Sequence, residues 1–321
     1  MDVLSEVIAS MRTGLPAATR TDARAPWAMR LRPVAGPGFH VILEGACWLV
    51  PPSGPSGPSE LGGVGEAGEP VELAAGDVVF LRSGREHVLA DDPATTPTRL
   101  HTGPDGGGGF GELTIEGPGA RTVMLCGAYD LDQARPHPLL RGLPPVIHVR
   151  ARHGRHPELR SAVALLCAEL SGGRPGADGI VPPMIDVLLF YVLRAWLDEA
   201  DAPDGWAAAL TDPGISRALK AIHEEPGRPW TVEALGRCAG LSRAAFARRF
   251  AALVGEPPLA YLTRWRMTTA GRLLRETRDP LSAVAERTGY TSEFAFAKAF
   301  KREFGVAPGG YRKSAARPRS A

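Results

Sequence analysis

The chain has 321 residues, which is long enough for two domains and a sizeable hydrophobic core. Hydrophobic residues make up 44% of it and charged residues 22%, proportions that exclude a disordered or fibrous protein. Its four cysteines, Cys47, Cys126, Cys167 and Cys238, are scattered without a CxxC pair, which excludes a disulfide framework and suits a reducing compartment.

Charge is divided unevenly along the chain. Residues 204–321 carry 20 Lys and Arg against 11 Asp and Glu, a net charge of +9, whereas residues 1–203 carry 17 against 24, a net charge of −7. A basic C-terminal part indicates binding to nucleic acid. The N-terminus lacks a basic segment followed by an apolar run, and the longest apolar stretch, Met184 to Tyr191, contains Asp186. We therefore expect a cytoplasmic protein without a signal peptide or a membrane partner.

Residues 1–150 are predicted to form one domain. The apolar residues between Met1 and Met11 lie near one helical face, which predicts a short helix that packs on the next segment of the chain. From about Ala28 the hydrophobic period changes to two, and Gly, Pro and Asp turns separate many short predicted strands, as in a sandwich or barrel. Two Gly- and Pro-rich stretches, 51–70 and 101–109, are predicted loops.

Two amphipathic helices are predicted in residues 151–203, at 156–170 and at 182–200, the second with proline in its first turn. Their apolar faces suit either packing against the strands or a homodimer interface. The remaining boundaries are a linker at 204–212, a helical domain at 213–313 and a disordered basic tail at 314–321.

The helical domain contains an internal repeat. Five residues recur 50 positions later: Phe246, Phe250, Gly255, Pro258 and Tyr261 as Phe296, Phe300, Gly305, Pro308 and Tyr311. In each copy a short helix ends at a glycine, Gly240 or Gly289, and a serine, Ser242 or Ser292, caps the next helix. This pattern predicts two helix-turn-helix units rather than an ordinary packing hairpin, because both copies have a largely basic outward face.

The outward faces of the second helices are the predicted DNA-contacting surfaces. With Phe246, Phe250 and Leu253 inward in the first copy, the outward residues of both copies are Arg243, Ala244, Ala247, Arg248, Glu293, Phe294, Ala297, Lys298 and Lys301. Arg248 suits guanine, Glu293 suits the cytosine amino group and Phe294 suits a thymine methyl. Phosphate contacts or solvation are expected for Arg249, Arg264, Arg266, Lys301 and Arg302.

Residues from about 212 to 313 resemble the DNA-binding domain of the AraC/XylS family of bacterial transcription regulators. The second copy carries the family's signature at Gly289, Tyr290, Ser292, Phe296, Phe300, Phe304, Gly305, Pro308, Tyr311 and Arg312. The resemblance implies seven helices, with Leu259 to Thr277 as the helix that joins the two units, and the same base-contacting positions. It also implies recognition helices in successive major grooves, about 34 Å apart. Ala244 and Ala247 depart from the larger polar residues often found at their positions.

The stretch from Ala74 to Leu89 resembles the second sequence motif of the cupin barrel, and the resemblance covers roughly residues 25–130. His40, His87 and Cys126 are the candidate pocket residues. The HxH pair of catalytic cupins is missing. A zinc ion held by these three nitrogen and sulfur ligands, with one open position, is one interpretation. Histidines that recognise a ligand or only complete the core, beside an inert cysteine, are the other.

The predicted fold is α+β, a cupin-like β-barrel with flanking helices followed by an all-α domain with two helix-turn-helix units. The predicted function is a sequence-specific DNA-binding transcription regulator, not an enzyme and with no catalytic residue, in the bacterial cytoplasm. Its cupin-like domain would sense a small molecule, a metal or an oxidant. Promoter DNA, a second copy of the chain and an unidentified effector are the expected partners, and RNA polymerase is a further candidate. A cupin metalloenzyme fused to a DNA-binding module and a general nucleoid-binding protein remain alternatives.

Overall fold

The computed structural model describes residues 2–34, 36–50, 69–97, 99–101, 110–131, 137–151, 155–171, 175–199 and 205–315. The chain divides into two compact units. The strand unit comprises Arg12–Arg135 and Leu143–Ala200, and the helical unit comprises Met1–Met11, Pro136–Gly142 and Asp201–Ser320. The grouping differs from the predicted boundaries at 150 and 203, because two segments of the N-terminal half belong to the helical unit.

Two sheets form the strand unit. One has the strand order β11-β6-β3-β10-β1-β9 and the other the order β5-β4-β7-β2-β8. The strands are β1 (Ala17–Arg24), β2 (Ala28–Leu31), β3 (Gly38–Glu44), β4 (Ala46–Val50), β5 (Val71–Ala74), β6 (Val78–Leu81), β7 (His87–Ala90), β8 (Arg99–His101), β9 (Phe110–Ile115), β10 (Arg121–Ala128) and β11 (Val146–Val149).

Apolar side chains from both sheets meet in one core, which includes Met29, Ile42, Leu73, Leu89 and Met124. The short alternating segments of the sequence therefore form a two-sheet sandwich, one of the two architectures that the strand pattern predicted. Within the described residues the two sheets are not joined edge to edge into a closed barrel. Of the predicted loops, 51–68 and 102–109 lie outside the described residues.

Helices α3 (Pro157–Ser171) and α4 (Ala177–Glu199) complete the strand unit. The second begins five residues before the predicted start, so Pro182 and Pro183 lie inside it rather than in its first turn. Its buried face packs on the six-stranded sheet, where Tyr129 donates a hydrogen bond to the Ile185 carbonyl oxygen over 3.1 Å. Packing, one of the two open interpretations of this face, is therefore observed.

In length and apolar composition α4 matches a membrane-spanning helix, unlike the shorter stretch considered in the sequence. Its Asp186 is paired with Arg12 over 2.7 Å. Val181, Leu188 and Val192 are buried in the strand unit, as expected for a core helix. Ile180 and Val187 stay exposed on its other face, and Leu165 is exposed on α3.

Seven helices follow from residue 213, as the family resemblance implies. They are α6 (Pro213–Glu224), α7 (Val232–Ala239), α8 (Arg243–Val254), α9 (Pro258–Glu276), α10 (Leu281–Arg287), α11 (Glu293–Phe304) and α12 (Pro308–Ala315). Helix α9 contacts members of both copies, namely α8, α10, α11 and α12. The predicted tail begins later than expected, because residues 314 and 315 belong to α12; residues 316–321 lie outside the described part.

The predicted linker is partly helical. Residues 205–211 form α5 (Gly205–Thr211), while 201–204 lie outside the described residues. Trp206 and Ala209 are buried, and α5 contacts α6 and α8. Burial of a large aromatic side chain explains why this segment is ordered despite the glycine and proline that precede it.

The N-terminal helix α1 (Val3–Met11) packs on α6 and α9, not on the strands that come after it in sequence. Its buried face consists of Val3, Val7, Ile8, Ser10 and Met11. Helix α2 (Pro138–Gly142) also belongs to the helical unit and contacts α5. The amphipathic pattern therefore predicted a buried face correctly, but the surface that covers it was predicted wrongly.

A buried aromatic cluster joins these segments to α6 and α9. Nε2 of His223 lies 2.5 Å from the Tyr261 hydroxyl oxygen, and Nε2 of His137 lies 3.3 Å from the same atom. The His223 ring stacks on Trp265 with 3.7 Å between ring centroids. The Glu6 carboxylate approaches Nδ1 of His223 to 3.5 Å, a geometry too poor for a hydrogen bond.

We expect Ile8→Ala to destabilise the helical unit by about 2–5 kcal/mol, because it leaves a cavity beneath a fully buried side chain. Hydrogen exchange should accelerate at the amides of α6 and α9, while β1 and β10 keep their protection. Leu165→Ala, which truncates an exposed leucine on α3, is the matched control and should leave exchange unchanged. Faster exchange confined to the strands would contradict this placement of α1.

Acid should weaken the helical unit through its buried histidines. Burial, with a smaller contribution from the Arg264 charge, lowers the pKa of His223 to about 3, and burial also holds the pKa of His137 well below its usual range. Both are neutral when folded, whereas an unfolded histidine gains a proton below about pH 6.5. Stability is therefore complete above that pH and falls as the pH drops towards 3, with about 2 kcal/mol lost at pH 5 from His223 alone.

Urea unfolding at pH 7.5 and pH 5 measures this loss. A His223→Gln variant should be less stable at pH 7.5 and should lose less on acidification. An unchanged difference between the two pH values in that variant would show that His223 is not the group responsible.

Candidate nucleic-acid interface and ligand pocket

Two similar turns place α8 and α11 on the surface of the helical unit. Gly240, at the end of α7, has a φ of 72°, and Gly289, after α10, has a φ of 78°, a backbone conformation that favours glycine. The side chains of Ser242 and Ser292 then accept hydrogen bonds from the amides of Ala245 and Ala295 and begin the two helices. The sequence repeat therefore corresponds to a repeated turn and cap.

The inward faces of the two recognition helices are phenylalanine stripes. Phe246 and Phe250 in α8 and Phe296 and Phe300 in α11 are fully buried. The first stripe ends on Val254, which is buried, whereas the predicted Leu253 is only half-buried. The difference reflects the rotation of 100° per residue, which lets either neighbour complete the stripe.

The predicted outward residues occupy the solvent side. Arg243, Ala244 and Arg248 are exposed on α8, with Ala247 half-buried. On α11, the exposed residues are Glu293, Phe294, Lys298 and Lys301, and Ala297 is half-buried. The Phe294 side chain is 81% exposed, so it lies on the solvent side where the sequence placed it.

Arginines of the helical unit fall into two classes. Arg249 forms an ion pair with Asp212 over 2.7 Å, and Arg264 pairs with Glu256 over 2.9 Å. Arg266 donates to the carbonyl oxygens of Pro226 and Arg228 over 2.7 and 2.9 Å. Phosphate contact or solvation was predicted for all three. Each has an acceptor within the described residues, while Arg249 also stays exposed to solvent, and phosphate contact stays a prediction.

By contrast, the cations on the recognition faces carry no ion pair within the described part of the chain. These residues are Arg243 and Arg248 on α8 and Lys298 and Lys301 on α11. Unpaired surface cations are available for phosphate oxygens and base edges.

One supporting residue had no signal in the sequence. Arg217 of α6 donates to the carbonyl oxygens of Cys238 and Ala239 over 3.1 and 3.3 Å. These are the last residues of α7, so Arg217 caps that helix where the turn to α8 begins.

The strand unit contains a pocket of about 40 Å³. Residues of β1, β2, β3, β7 and β10 and of two turns surround it: Thr19, Leu31, Arg32, Val34, Gly38, His40, Gly84, His87, Cys126, Gly127 and Ala128. All three predicted pocket residues, His40, His87 and Cys126, are therefore brought together.

The two pocket histidines contact each other directly. Their Nε2 atoms lie 2.7 Å apart, and Nδ1 of His87 lies 2.7 Å from the Arg85 carbonyl oxygen. A carbonyl only accepts, so Nδ1 of His87 carries a proton and Nε2 of the neutral ring is bare. Nε2 of His40 must then donate to it, which leaves Nδ1 of His40 as a bare acceptor. That atom is buried and has no partner in the described part of the protein.

Burial sets the protonation of the pocket. It holds the pKa of His40 well below its usual range, with a smaller contribution from His87, and it also lowers the pKa of His87. Burial raises the pKa of the Cys126 thiol and raises that of the neighbouring Cys47 to about 12. The pocket therefore presents neutral imidazoles and an unreactive thiol at pH 7.

The zinc interpretation does not fit this arrangement. Among the described residues, no three His, Cys, Asp or Glu side chains are close enough together to hold a metal ion. The direct contact between the Nε2 atoms also occupies the nitrogens that a metal would need.

Comparisons with known proteins agree with both halves of this description. A family model described as Cupin matches residues 2–198, and one described as Helix-turn-helix domain matches residues 235–314. A protein of Streptomyces lividans named as an AraC-like transcription regulator is 35% identical, over 99% of this chain and 100% of its own. One of Streptomyces antibioticus with the same name is 34% identical, over 98% of this chain and 99% of its own.

Among solved structures, the DNA-binding domain of AdpA, a global transcriptional factor in complex with a target DNA, is 34% identical. It covers 34% of this chain and 99% of its own, with a TM-score of 0.31. On the full-length relatives and the two family models, the chain belongs to the AraC-like family of DNA-binding transcription regulators, with a cupin domain in its N-terminal part.

Proposed function

We propose that the protein recognises a specific promoter sequence with α8 and α11 and that its cupin domain adjusts this binding in response to a small molecule. The observation that carries the proposal is the pair of exposed recognition faces, whose cations are unpaired within the described residues while neighbouring arginines are held in ion pairs. A general nucleoid-binding protein would need only phosphate contacts, whereas these faces also present Glu293 and Phe294, which suit base edges.

Each recognition face has a distinct proposed role. Arg248 donates to O6 and N7 of a guanine, Glu293 accepts from the amino group of a cytosine, and Phe294 contacts a thymine methyl. Lys301 lies about one turn beyond Lys298 on α11 and contacts phosphate. Ala244 and Ala247 leave little side chain between α8 and the groove, so the first unit depends mainly on Arg248 for base readout.

A small molecule is the effector class that the pocket favours. An oxidant would require a reactive thiolate, but the thiols of Cys47 and Cys126 stay protonated at neutral pH because they are buried. A metal would require a third ligand close to the two histidines, which the described residues do not supply. A largely apolar pocket with two neutral imidazoles suits a small organic ligand.

The chain connects this pocket to the helical unit over a few residues. Strands β1 and β10 both line the pocket and pair in register from Ala17 with Ala128. The pairing continues to an isolated bridge between Arg12 and Leu131. Arg12 directly follows α1, and α2 begins at Pro138, so a shift of these strand ends would pull on two segments that pack with α5, α6 and α9.

The proposed partners match the family pattern. A homodimer in the bacterial cytoplasm is proposed, with the exposed Leu165, Ile180 and Val187 of α3 and α4 as the contact residues to test. RNA polymerase is a further candidate partner. The alternative, a cupin metalloenzyme, predicts stoichiometric iron or manganese in the purified protein, and metal analysis would detect it.

We expect Arg248→Ala to weaken binding to the preferred DNA site by about 1–3 kcal/mol, or roughly 5- to 150-fold, and to remove the base preference at one position. Arg287→Ala is the matched control. It removes the same charge from an exposed arginine on α10, but one that is paired with Asp279. Binding to a randomised library at fixed salt, followed by sequencing, measures both effects.

The distribution of the affinity loss over the DNA sequences decides between specific recognition and general nucleoid binding. A uniform loss on all sequences, with no preference relaxed, would mean that Arg248 contacts phosphate only. If the unaltered protein also showed no sequence preference, the nucleoid-binding alternative would replace the regulator.

A further inference from the structure

The pocket of the strand unit contains a buried hydrogen-bonding atom without a partner among the described residues. It is Nδ1 of His40, a residue that is only 3% exposed and lines the pocket. Buried polar atoms are paired in the great majority of cases, with protein or with water. An acceptor of this kind beside a cavity is satisfied by a bound water or by a ligand that displaces it.

The hydrogen-bond chain decides what that partner must be. The Arg85 carbonyl oxygen fixes the proton on Nδ1 of His87, and the contact between the two Nε2 atoms then fixes the proton on Nε2 of His40. Nδ1 of His40 is therefore an acceptor, and its partner must donate. A carboxylate has no proton to give, so an anionic ligand would leave the atom unpaired.

Charge excludes a cationic donor as well. Among the described residues that line the pocket, the only charged side chain is that of Arg32, which is exposed and positive. None of these lining residues is a carboxylate that could compensate an ammonium group, and an unpaired buried charge is strongly unfavourable. The donor is therefore a neutral O–H or N–H group.

The volume and the lining of the pocket narrow the class of ligand further. A cavity needs about 10–15 Å³ for each water-sized group, so about 40 Å³ holds roughly three such groups. A hydroxyl with two carbons fills about this volume, and the lining of Leu31, Val34 and Ala128 is apolar.

We propose that the pocket binds a small neutral alcohol, which enters hydroxyl first and donates its proton to Nδ1 of His40. The proposal rests on the sensing role proposed for this pocket and names the chemical class of its ligand. The remainder of the ligand extends along the apolar lining towards Arg32, where larger or more polar substituents meet solvent.

Three compounds of similar size test the proposal on the full-length protein. Butan-1-ol can donate; its isomer diethyl ether has the same heavy atoms but no donor; butanoate is an anion. The ¹⁵N resonances of histidine-labelled protein report binding. Butan-1-ol should shift the Nδ1 resonance of His40 saturably and leave that of the half-exposed His156 unchanged. Diethyl ether should bind about tenfold more weakly, and butanoate should not bind.

Variants provide a second comparison. His40→Leu removes the acceptor and should weaken butan-1-ol binding about tenfold. Calorimetry or ligand-observed NMR measures the affinity. Cys126→Ala changes the same pocket without changing the acceptor and should keep the preference for the alcohol over the ether. If His40→Leu does not fold, the three ligands on the unaltered protein still decide.

Several results would overturn the proposal: ether or butanoate binding as well as the alcohol, no binding of any of the three, or stoichiometric zinc that disappears in His40→Leu. DNA affinity, measured separately with and without butan-1-ol, tests the sensing role. Saturable binding at His40 with unchanged DNA affinity would support the ligand class and contradict the regulation.

Discussion

Each helix-turn-helix copy depends on one tyrosine that packs against its recognition helix. Tyr261 contacts Phe250 with 5.8 Å between ring centroids, and Tyr311 contacts Phe300 with 5.4 Å. They are equivalent residues of the repeat, 50 positions apart. A recognition face is useful only if its helix is held at a fixed angle, and these ring contacts fix the buried side of α8 and α11.

The hydroxyl groups of these two tyrosines have different hydrogen-bond partners. Each partner also makes a hydrogen bond to the end of α1. The Tyr261 hydroxyl lies beside His137, and the His137 amide donates to the Met11 sulfur over 3.4 Å. The Tyr311 hydroxyl accepts from Arg275 over 2.6 Å, and Arg275 also donates to the Ser10 carbonyl oxygen over 3.1 Å. The end of α1 is thus linked by hydrogen bonds to both copies.

The sensing role that we propose for the pocket would need a physical route to the DNA-binding helices, and the chain connection between the two units is the one we propose. The shared residues of α1 and of the segment before α2 lie next in sequence to the paired ends of β1 and β10, which line the pocket. Under this proposal, a ligand that orders those strand ends would change the freedom of Ser10, Met11 and His137 through the covalent chain. It needs to favour one arrangement by only a few kcal/mol to shift the population of DNA-binding molecules.

The sequence predicted the repeated elements well because their evidence is local and doubled. The cap, the glycine turn and the phenylalanine spacing each lie within twelve residues, and a second copy confirms each choice. It also predicted that α1 has a buried face. It did not identify α6 and α9 as the surface that covers it, because periodicity shows that a face is buried but not which distant segment buries it.

Charged residues show the same limit. Arg248 and Arg249 are adjacent and look alike in the sequence, yet Asp212 pairs with Arg249 only. Neighbouring helical residues point 100° apart, so only one of the two arginines is directed at Asp212, which caps the N-terminus of α6. In the strands, the alternation predicted a sandwich or a barrel but could not decide between them, because closure depends on pairing between strands far apart in sequence.

Unpaired groups mean different things on the surface and in the interior, and the functions proposed for this protein use both kinds. Within the described residues, Arg243, Arg248 and Lys298 are unpaired in solvent, where hydration satisfies them, so they stay available for DNA without destabilising the fold. Nδ1 of His40 is buried beside the pocket and has no partner among the described residues, so a bound water or ligand can satisfy it. Under the proposed function, the hydrogen bond to this atom would supply part of the binding free energy of the ligand.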